Sequence, residues 1–224
     1  MRIIVIQLFT DNIKELGQYS SNKMKNYCEK YNYDYKCFAN SLDETRHPAW
    51  SKIKAILTFL ENKDYDWIWF IDIDAFVIND SYKLEEIIET YARNDKDIIF
   101  TDQKYRRNIN SGSMLVKNTE FSKQLFLEVY DNILESYRWK CCWEQDSINR
   151  LIFGSTNVTT NPIINEKYKE KIVVVKNNVF NSVFNPANTC DHLRTYNSGD
   201  FVIHFAGPIS FDQIKIKLKE IGKL

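Results

Sequence analysis

The sequence is poor in the residues that build flexible or repetitive chains. Its 224 residues include only six Gly and four Pro, which excludes collagen-like repeats and a glycine- or proline-rich linker. No apolar run approaches the about 18–20 residues that span a bilayer, and the N-terminus lacks the pattern of a secretory signal peptide. We therefore expect one domain over residues 1–224, with no transmembrane segment and a cytoplasmic or peripheral membrane location.

The sequence also lacks net charge. Lys and Arg number 30, and Asp and Glu number 30. This balance argues against a basic surface over the whole chain, and so against a nucleic-acid partner. It leaves open a local charged site. A helix predicted from Phe211 onward alternates Lys with Ile and Leu, which suits either the last packed helix or contact with a membrane surface.

Cysteine is present without a metal-binding pattern. The five residues include the adjacent pair Cys141 and Cys142, whereas Cys28, Cys37 and Cys190 are scattered. An odd number with such spacing predicts reduced thiols rather than a disulfide framework.

Short β-branched runs alternate with helical stripes along the chain. This alternation predicts an α/β fold, with a mixed, mainly parallel sheet flanked by helices. Such sheets bind ligands at the carboxyl ends of their strands. The predicted strands are Arg2–Phe9, Tyr33–Phe38, Trp67–Ile73, Asp97–Thr101, Ser113–Lys117, Lys171–Val175 and Phe201–His204. The predicted helices are Asn12–Tyr31, Ser51–Glu61, Leu84–Tyr91, Thr119–Tyr137, Gln145–Phe153 and the segment from Phe211.

The most informative segment is Asp72-Ile73-Asp74, which ends the apolar, central strand WIWFIDI. Two carboxylates at a strand end can reach one cation, and hard oxygen ligands suit Mg²⁺ or Mn²⁺. Acids beside such an apolar run need a partner. A metal is one candidate, and a Lys or Arg is the structural alternative.

Three further segments carry candidate ligand-binding groups. Asn110-Ser111-Gly112-Ser113 offers amide and hydroxyl groups beside a glycine, although Asn-Ser-Gly is also an ordinary turn. Trp143-Glu144-Gln145-Asp146 opens a helix, where acids also serve as N-terminal caps. His204-Phe205-Ala206-Gly207 follows a strand, where the imidazole could ligate a metal or be a buried core residue.

In this order the segments resemble nucleotide-sugar glycosyltransferases of the GT-A fold. They are most similar to the galactosyl/mannosyltransferase GMA12/MNN10 group, glycosyltransferase family 34. The resemblance covers about Asn12 to Gly207. The glycogenin-like family 8 is the second choice, but its Lys-Pro-Trp after the final glycine is replaced here by Pro208-Ile209-Ser210. The segments that carry the resemblance are Trp50-Ser51-Lys52, Asp72-Ile73-Asp74, Asn110-Ser111-Gly112-Ser113, Glu144-Gln145-Asp146 and the stretch Gly199 to Gly207.

The resemblance implies a role for each matching residue. Asp72, Asp74 and His204 would hold Mn²⁺ or Mg²⁺ against the diphosphate of the donor. Glu144, Gln145 and Asp146, together with Asp72, would act near the anomeric carbon. The residues expected to bind donor or acceptor are Gln7, Phe9, Thr10, Lys52, Asp72, Asn110, Ser111, Gly112 and Gly207.

The implied activity is transfer of a hexosyl or pentosyl group from a nucleoside-diphosphate sugar to a hydroxyl of a glycan, with retention of configuration. A UDP-sugar is favoured as the donor and a GDP-sugar is the alternative. Two other interpretations remain. One is a non-catalytic, nucleotide-sugar-binding relic of the same fold. The other is a phosphatase with Asp-x-Asp at a strand end, which the following Ala75-Phe76 and the lack of a later Gly-Asp-x-x-Asp loop disfavour.

Overall fold

The computed structural model describes residues 1–103, 108–131, 143–154, 163–184, 195–207 and 209–224. These residues form a six-stranded sheet with the order β2-β1-β3-β6-β5-β7 and a three-stranded sheet with the order β4-β9-β8. Only β6 runs against its neighbours in the large sheet. The predicted α/β fold with a mainly parallel sheet is therefore confirmed.

The predicted elements recur with small shifts at their ends. The strands are β1 Ile3–Leu8, β2 Asp34–Phe38, β3 Trp67–Ile71, β4 Ala75–Val77, β5 Ile98–Asp102, β6 Ile109–Lys117, β7 Ile172–Val175, β8 Ser182–Val183 and β9 Val202–His204. The helices are α1 Lys14–Tyr31, α2 Ser51–Leu60, α3 Leu84–Tyr91, α4 Glu120–Asp131, α5 Trp143–Phe153, α6 Glu166–Lys169 and α7 Phe211–Glu220. Residues 132–137 of the predicted fourth helix lie outside the described residues.

The central strand β3 organises the core. All five of its residues are buried, and they pair with β1 on one side and with β6 on the other. One hydrophobic cluster lies on each face of the large sheet, which is why the strand shows a continuous apolar run rather than alternation. Because β3 ends at Ile71, the following acids leave the sheet at its carboxyl edge.

The segment Asn110–Ser113 lies inside β6, not in a turn before a strand. The strand begins at Ile109, and its pairing with β5 shifts register between Phe100 and Thr101. Phe100 lies opposite Met114 and Thr101 lies opposite Asn110, so Ser111, Gly112 and Ser113 form a bulge relative to β5. A β-bulge redirects side chains, and here it directs Ser111 and Gly112 toward the carboxyl end of β3.

The small sheet was not predicted, because β4 and β8 have only three and two residues. It brings β9 against β4, with Ala75 opposite His204. A third hydrophobic cluster supports this region and includes Ile214 and Leu218 of α7. The terminal helix is thus packed along one face.

Cys28 and Cys37 are free thiols, as the sequence predicts. Cys141, Cys142 and Cys190 lie outside the described residues. Within the ranges that the structure describes, no helix is both long enough and apolar enough to cross a bilayer.

Candidate active site

A tight turn directly after β3 carries the two acids. The backbone N–H of Asp72 donates to the carbonyl of Gly112 at 2.7 Å, which ties the turn to β6. The carbonyl of Asp72 then accepts from the N–H of Ala75 at 3.1 Å, and the carbonyl of Asp74 accepts from the N–H of Phe205 at 3.0 Å. The turn is therefore held from β6 and from the segment after β9, and both carboxylates emerge at one edge.

His204 completes a group of three side chains that could together hold a metal ion. One ligand atom each from Asp72, Asp74 and His204 lies within 4.8 Å of the others. The Nε2 atom of His204 is 3.3 Å from Oδ1 of Asp74. Burial alone would lower the pKa of the His204 ring, but the neighbouring carboxylates, above all Asp74, outweigh it and raise that pKa. The donor set of two carboxylates and one imidazole fits a divalent cation.

Lys52 lies between two acids behind this group. Its Nζ atom is 3.0 Å from Oδ1 of Asp72 and 2.9 Å from Oε1 of Glu144, and it also donates to the carbonyl of Ser111 at 3.1 Å. The Lys52 side chain is only 7% exposed. Burial would lower its pKa, but the two carboxylates raise it, so the ammonium stays charged. Both kinds of partner considered for Asp72, a lysine and a metal, are thus compatible with its position.

The acids outnumber their counter-charge. Burial raises the pKa of Asp72; Lys52 opposes this shift, while Asp74 and Glu144 add to it. The Oε2 atom of Glu144 is buried and has no hydrogen-bond partner among the described residues. A cation near Asp72 and Asp74 and a hydroxyl donor near Glu144 would therefore complete the site electrostatically.

Gln145 also contacts the bulge of β6. Its Oε1 atom accepts from the backbone N–H of Ser111 at 3.0 Å, while the Ser111 hydroxyl donates to Oε1 of Glu144 at 2.9 Å. The start of α5 and the bulge are therefore linked by one hydrogen bond to the backbone of Ser111 and one to its side chain. Glu144 and Gln145 thus hydrogen-bond to β6 from the first turn of α5.

These groups line a cleft of about 680 Å³ at the carboxyl edge of the large sheet. Phe9 and Thr10 follow β1 at one wall, and the imidazole of His47 stacks on the Trp143 ring at another, with ring centroids 3.8 Å apart. Gly17 of α1 lets Phe9 approach, because a Cβ there would lie 2.3 Å from the Phe9 ring. The predicted residues that line the cleft are Phe9, Thr10, Lys52, Asp72, Asp74, Asn110, Ser111, Gly112, Glu144, Gln145, His204 and Gly207.

Two predicted residues are not among those that line the cleft, Gln7 and Asp146. Gln7 is fully buried beneath Asp72. Its Oε1 atom accepts from the hydroxyl of Tyr35 at 2.8 Å, and its Nε2 atom lies 3.4 Å from the carbonyl of Asp72. Gln7 therefore supports the turn from below.

The sequence did not single out His47 or Asn181. His47 precedes the short turn Pro48–Trp50 and accepts the N–H of Ala49 at its Nδ1 atom. Asn181 lies directly before β8, and its Oδ1 atom is 2.8 Å from Nδ1 of His204. Neither residue belongs to a recognisable motif. The fold alone brings His47 to the wall of the cleft and Asn181 against the buried side of the His204 ring.

Residues 7–214 match the profile of the galactosyl transferase GMA12/MNN10 family. The chain belongs to this family. The match includes every candidate site residue named above, from Gln7 to Gly207. The predicted family is therefore confirmed.

The curated relatives that the chain matches are yeast glycosyltransferases. An uncharacterized alpha-1,2-galactosyltransferase of Schizosaccharomyces pombe is 22% identical, over 96% of the chain and 63% of its own length. The probable alpha-1,2-galactosyltransferase gmh2 of the same yeast is 26% identical, over 81% and 57%. The probable alpha-1,6-mannosyltransferase MNN10 of Saccharomyces cerevisiae is 28% identical, over 46% and 33%. The chain thus spans less than two thirds of the length of each of these three relatives.

Solved structures share the fold at low sequence identity. A glycosyltransferase involved in the glycosylation of the major capsid of PBCV-1 superposes with a TM-score of 0.68, at 13% identity over 98% of this chain and 100% of that one. The galactosyltransferase LgtC, solved with donor and acceptor sugar analogs, gives 0.53 at 14% identity over 99% and 96%. These likenesses confirm the predicted GT-A fold of this chain.

Proposed function

We propose that this chain transfers a glycosyl group from a nucleoside-diphosphate sugar to a hydroxyl of a glycan, with Mn²⁺ or Mg²⁺ held by Asp72, Asp74 and His204. The observation that carries the proposal is the convergence of these three ligand atoms within 4.8 Å on the wall of one cleft. The polar groups of β6 and α5 line the same cleft.

The ligand set favours manganese of the two metals. Mg²⁺ prefers an all-oxygen shell, whereas a site with one imidazole and two carboxylates also suits Mn²⁺. When bound, the cation would neutralise the charge that develops on the leaving diphosphate. The protein groups do the positioning: backbone hydrogen bonds fix the Asp72–Asp74 turn, and Lys52 fixes the Asp72 carboxylate from behind.

In the transfer step the bond between the anomeric carbon and the phosphate oxygen breaks, and a bond from that carbon to the acceptor oxygen forms. The acceptor proton passes to the leaving phosphate oxygen, so that no separate base is required. Glu144 is ion-paired with Lys52 through Oε1, and its Oε2 atom would accept a sugar hydroxyl and orient the substrate. Front-face attack of this kind retains the anomeric configuration.

The names of the relatives direct the choice of donor. Galactosyltransferases predominate among them, with one probable mannosyltransferase. UDP-galactose is therefore the first donor to test, and GDP-mannose is the second. A glycan hydroxyl is the matching acceptor.

The decisive experiment is hydrolysis of a panel of nucleotide sugars, with Mn²⁺, with Mg²⁺ and with excess chelator. We expect turnover of one donor that needs the metal and is lost in Asp74→Ala. The exposed Asp212, whose side chain is 82% accessible, provides the matched control Asp212→Ala, which should keep full activity. Full activity in Asp74→Ala or in chelator would refute the metal role.

Two further readouts separate the alternatives. Donor binding without turnover of any sugar would favour a binding relic. With an acceptor identified, the anomeric coupling constant of the product, measured by NMR, distinguishes retention from inversion. An inverted product would exclude the front-face step described above.

A further inference from the structure

A buried chain of hydrogen bonds connects the cleft-lining residues Gly112 and Asn110 to the Nδ1 side of the His204 ring. It starts at the backbone N–H of Gly112, which donates to Oδ1 of Asn110 at 2.9 Å. The same Oδ1 atom is 2.8 Å from Nδ2 of Asn181, and Oδ1 of Asn181 is 2.8 Å from Nδ1 of His204. Asn181 is fully buried.

The direction of this chain is fixed by its first donor. A backbone N–H can only donate, so the Asn110 atom that faces Gly112 must be the oxygen. That oxygen has two lone pairs, and the Asn181 atom that approaches it must therefore be the amide nitrogen. The remaining Asn181 atom, which faces His204, is then the oxygen. An oxygen acceptor there requires a proton on Nδ1 of His204.

The backbone holds Asn181 in place for this contact. The N–H of Asn177 donates to Oδ1 of Asp102 at the end of β5 at 2.8 Å, and the N–H of Asn181 donates to the carbonyl of Asn177 at 2.7 Å. Nδ2 of Asn181 also lies 2.8 Å from the hydroxyl of Thr101. Asn181 is thus held by its backbone N–H and by its side-chain amide, independently of its contact with the imidazole.

We propose that Asn181 is a positioning residue that holds His204 in the tautomer with the proton on Nδ1, so that the lone pair of Nε2 faces Asp72 and Asp74. The inference rests on the proposed metal-dependent function and assigns a residue that the sequence motifs do not contain. Residues that orient a ligating histidine in this way set its tautomer and its basicity.

The other tautomer of His204, with the proton on Nε2, could be stabilised by Asp74. Oδ1 of Asp74 is 3.3 Å from Nε2 of His204, and it would accept a proton carried on that nitrogen. In that state Nε2 of His204 would donate its proton to Asp74 and would have no lone pair to offer a cation. Asn181 counteracts this pairing by binding the proton on the opposite side of the ring.

The first test uses the metal-free protein and needs no activity. Long-range proton–nitrogen NMR spectra of ¹⁵N-histidine-labelled protein distinguish the two nitrogens of a neutral ring. The chain has three His residues, and His47→Asn and His192→Asn spectra assign the His204 signals. Spectra are recorded at a pH above which these signals no longer move. We expect a protonated Nδ1 and a bare Nε2. A protonated Nε2 in the wild-type protein would overturn the inference.

The second test measures Mn²⁺ affinity by calorimetry in Asn181→Ala and in a matched control, Thr101→Val. The control also removes one buried hydrogen bond of Asn181, but it leaves the bond from Asn181 to His204. We expect the affinity to fall about 10–100-fold in Asn181→Ala and to stay near wild type in Thr101→Val. The proton of His204 should shift toward Nε2 in Asn181→Ala only.

Each outcome separates this inference from the proposed function. Equal losses of affinity in both variants, or an unchanged tautomer in Asn181→Ala, would reduce Asn181 to a purely structural role and overturn the proposal. If the wild-type chain binds no Mn²⁺, the metal-dependent function fails, while the NMR result still decides the tautomer. If Asn181→Ala does not fold, the wild-type spectrum decides alone.

Discussion

Gly112 lies against the ring of His204 so closely that position 112 has no room for a side chain. A Cβ atom built there would be 2.2 Å from Cε1 of His204 and 2.8 Å from its Nδ1. The backbone of Gly112 is not in the left-handed region, so the requirement concerns space rather than conformation. The absence of a side chain at Gly112, in the bulge of β6, therefore leaves the space that the His204 ring occupies.

Gly112→Ala is expected to push His204 away from Asp72 and Asp74. The overpacked contact should lower the free energy of unfolding by about 1–3 kcal/mol. Because the ligand itself moves, Mn²⁺ affinity should fall at least about tenfold, the lower end of the range for residues that merely support a ligand. Urea unfolding and calorimetry measure the two effects.

Gly154→Ala is the control for this substitution. Gly154 has a φ of +72° and no neighbour within 4 Å of an added Cβ. Alanine there should cost about 1–2 kcal/mol of stability through backbone strain and leave the metal affinity unchanged. If the two variants lose the same affinity, a general loss of stability would explain the result.

Lys52→Met is expected to destabilise the fold strongly, because it leaves the charges of Asp72 and Glu144 without their ammonium partner. Removing one member of a buried ion pair costs about 3–5 kcal/mol. Glu144→Gln in the same background should recover part of the loss, since one of the two unpaired charges disappears. Urea unfolding of the four proteins in this cycle measures the coupling.

Lys215→Met is the matched control, because Lys215 pairs with the exposed Asp212 at 2.7 Å on α7. Exposed pairs of this kind contribute little, and the unfolding midpoint should barely change. A comparable loss in both lysine variants would mean that the buried position of Lys52 is not what makes it important.

The large sheet could be predicted because its strands are long enough to show a pattern. Trp67–Ile71 is an unbroken apolar run, and helix-period stripes separate it from its neighbours. The small sheet could not be predicted, because two or three residues show no periodicity. The register shift between Phe100 and Thr101 could not be predicted from the sequence either, because a bulge depends on how β5 pairs with β6.

The cluster of Asp72, Asp74 and His204 is the part of the candidate site that the sequence predicts, and their role as metal ligands stays a prediction. The residues that contact this cluster from behind, Lys52 and Asn181, could not be placed there from the sequence. Lys52 is expected from the sequence to bind donor or acceptor, but its position between Asp72 and Glu144 is visible only in the structure. Asn181 is 71 residues from Asn110 along the chain, and no local pattern marks it. Contacts over such separations follow from the topology and not from composition.

His47 predicts a pH dependence of stability. Burial lowers the pKa of His47, and Glu144 opposes that shift only partly. In the folded state the neutral ring accepts the N–H of Ala49, which a protonated ring cannot do. As the pH falls below the ordinary histidine value of about 6.5, the unfolded chain binds a proton that the folded chain resists. Stability should therefore decrease on acidification and level off below the folded-state pKa.

His47→Asn isolates this contribution, because an asparagine oxygen can accept the same N–H without titrating. The difference in unfolding free energy between wild type and variant should change between pH 7 and the folded-state pKa, with the wild type losing more on acidification. Urea titrations at closely spaced pH values measure it. A pH-independent difference would contradict the inferred sign.

Mn²⁺ is expected to stabilise the folded chain, because the cation relieves the repulsion between Asp72 and Asp74 and binds only the assembled group. At a concentration of 100 times Kd the gain is about 2.7 kcal/mol. For a chain of 224 residues, this corresponds to a rise of about 5–10 °C in the unfolding temperature, which excess chelator should reverse.

Asp74→Asn should abolish this thermal shift without weakening the metal-free protein. The amide can still hydrogen-bond the ring of His204, and it removes the like charge that helps to raise the pKa of Asp72. We therefore expect the metal-free variant to unfold at the wild-type temperature or above it. Such a result would mean that the paired charges of Asp72 and Asp74 serve metal binding and lower the stability of the metal-free protein, a trade-off that is common at functional sites. An Mn²⁺-dependent shift that persists in Asp74→Asn would place the cation elsewhere on the chain.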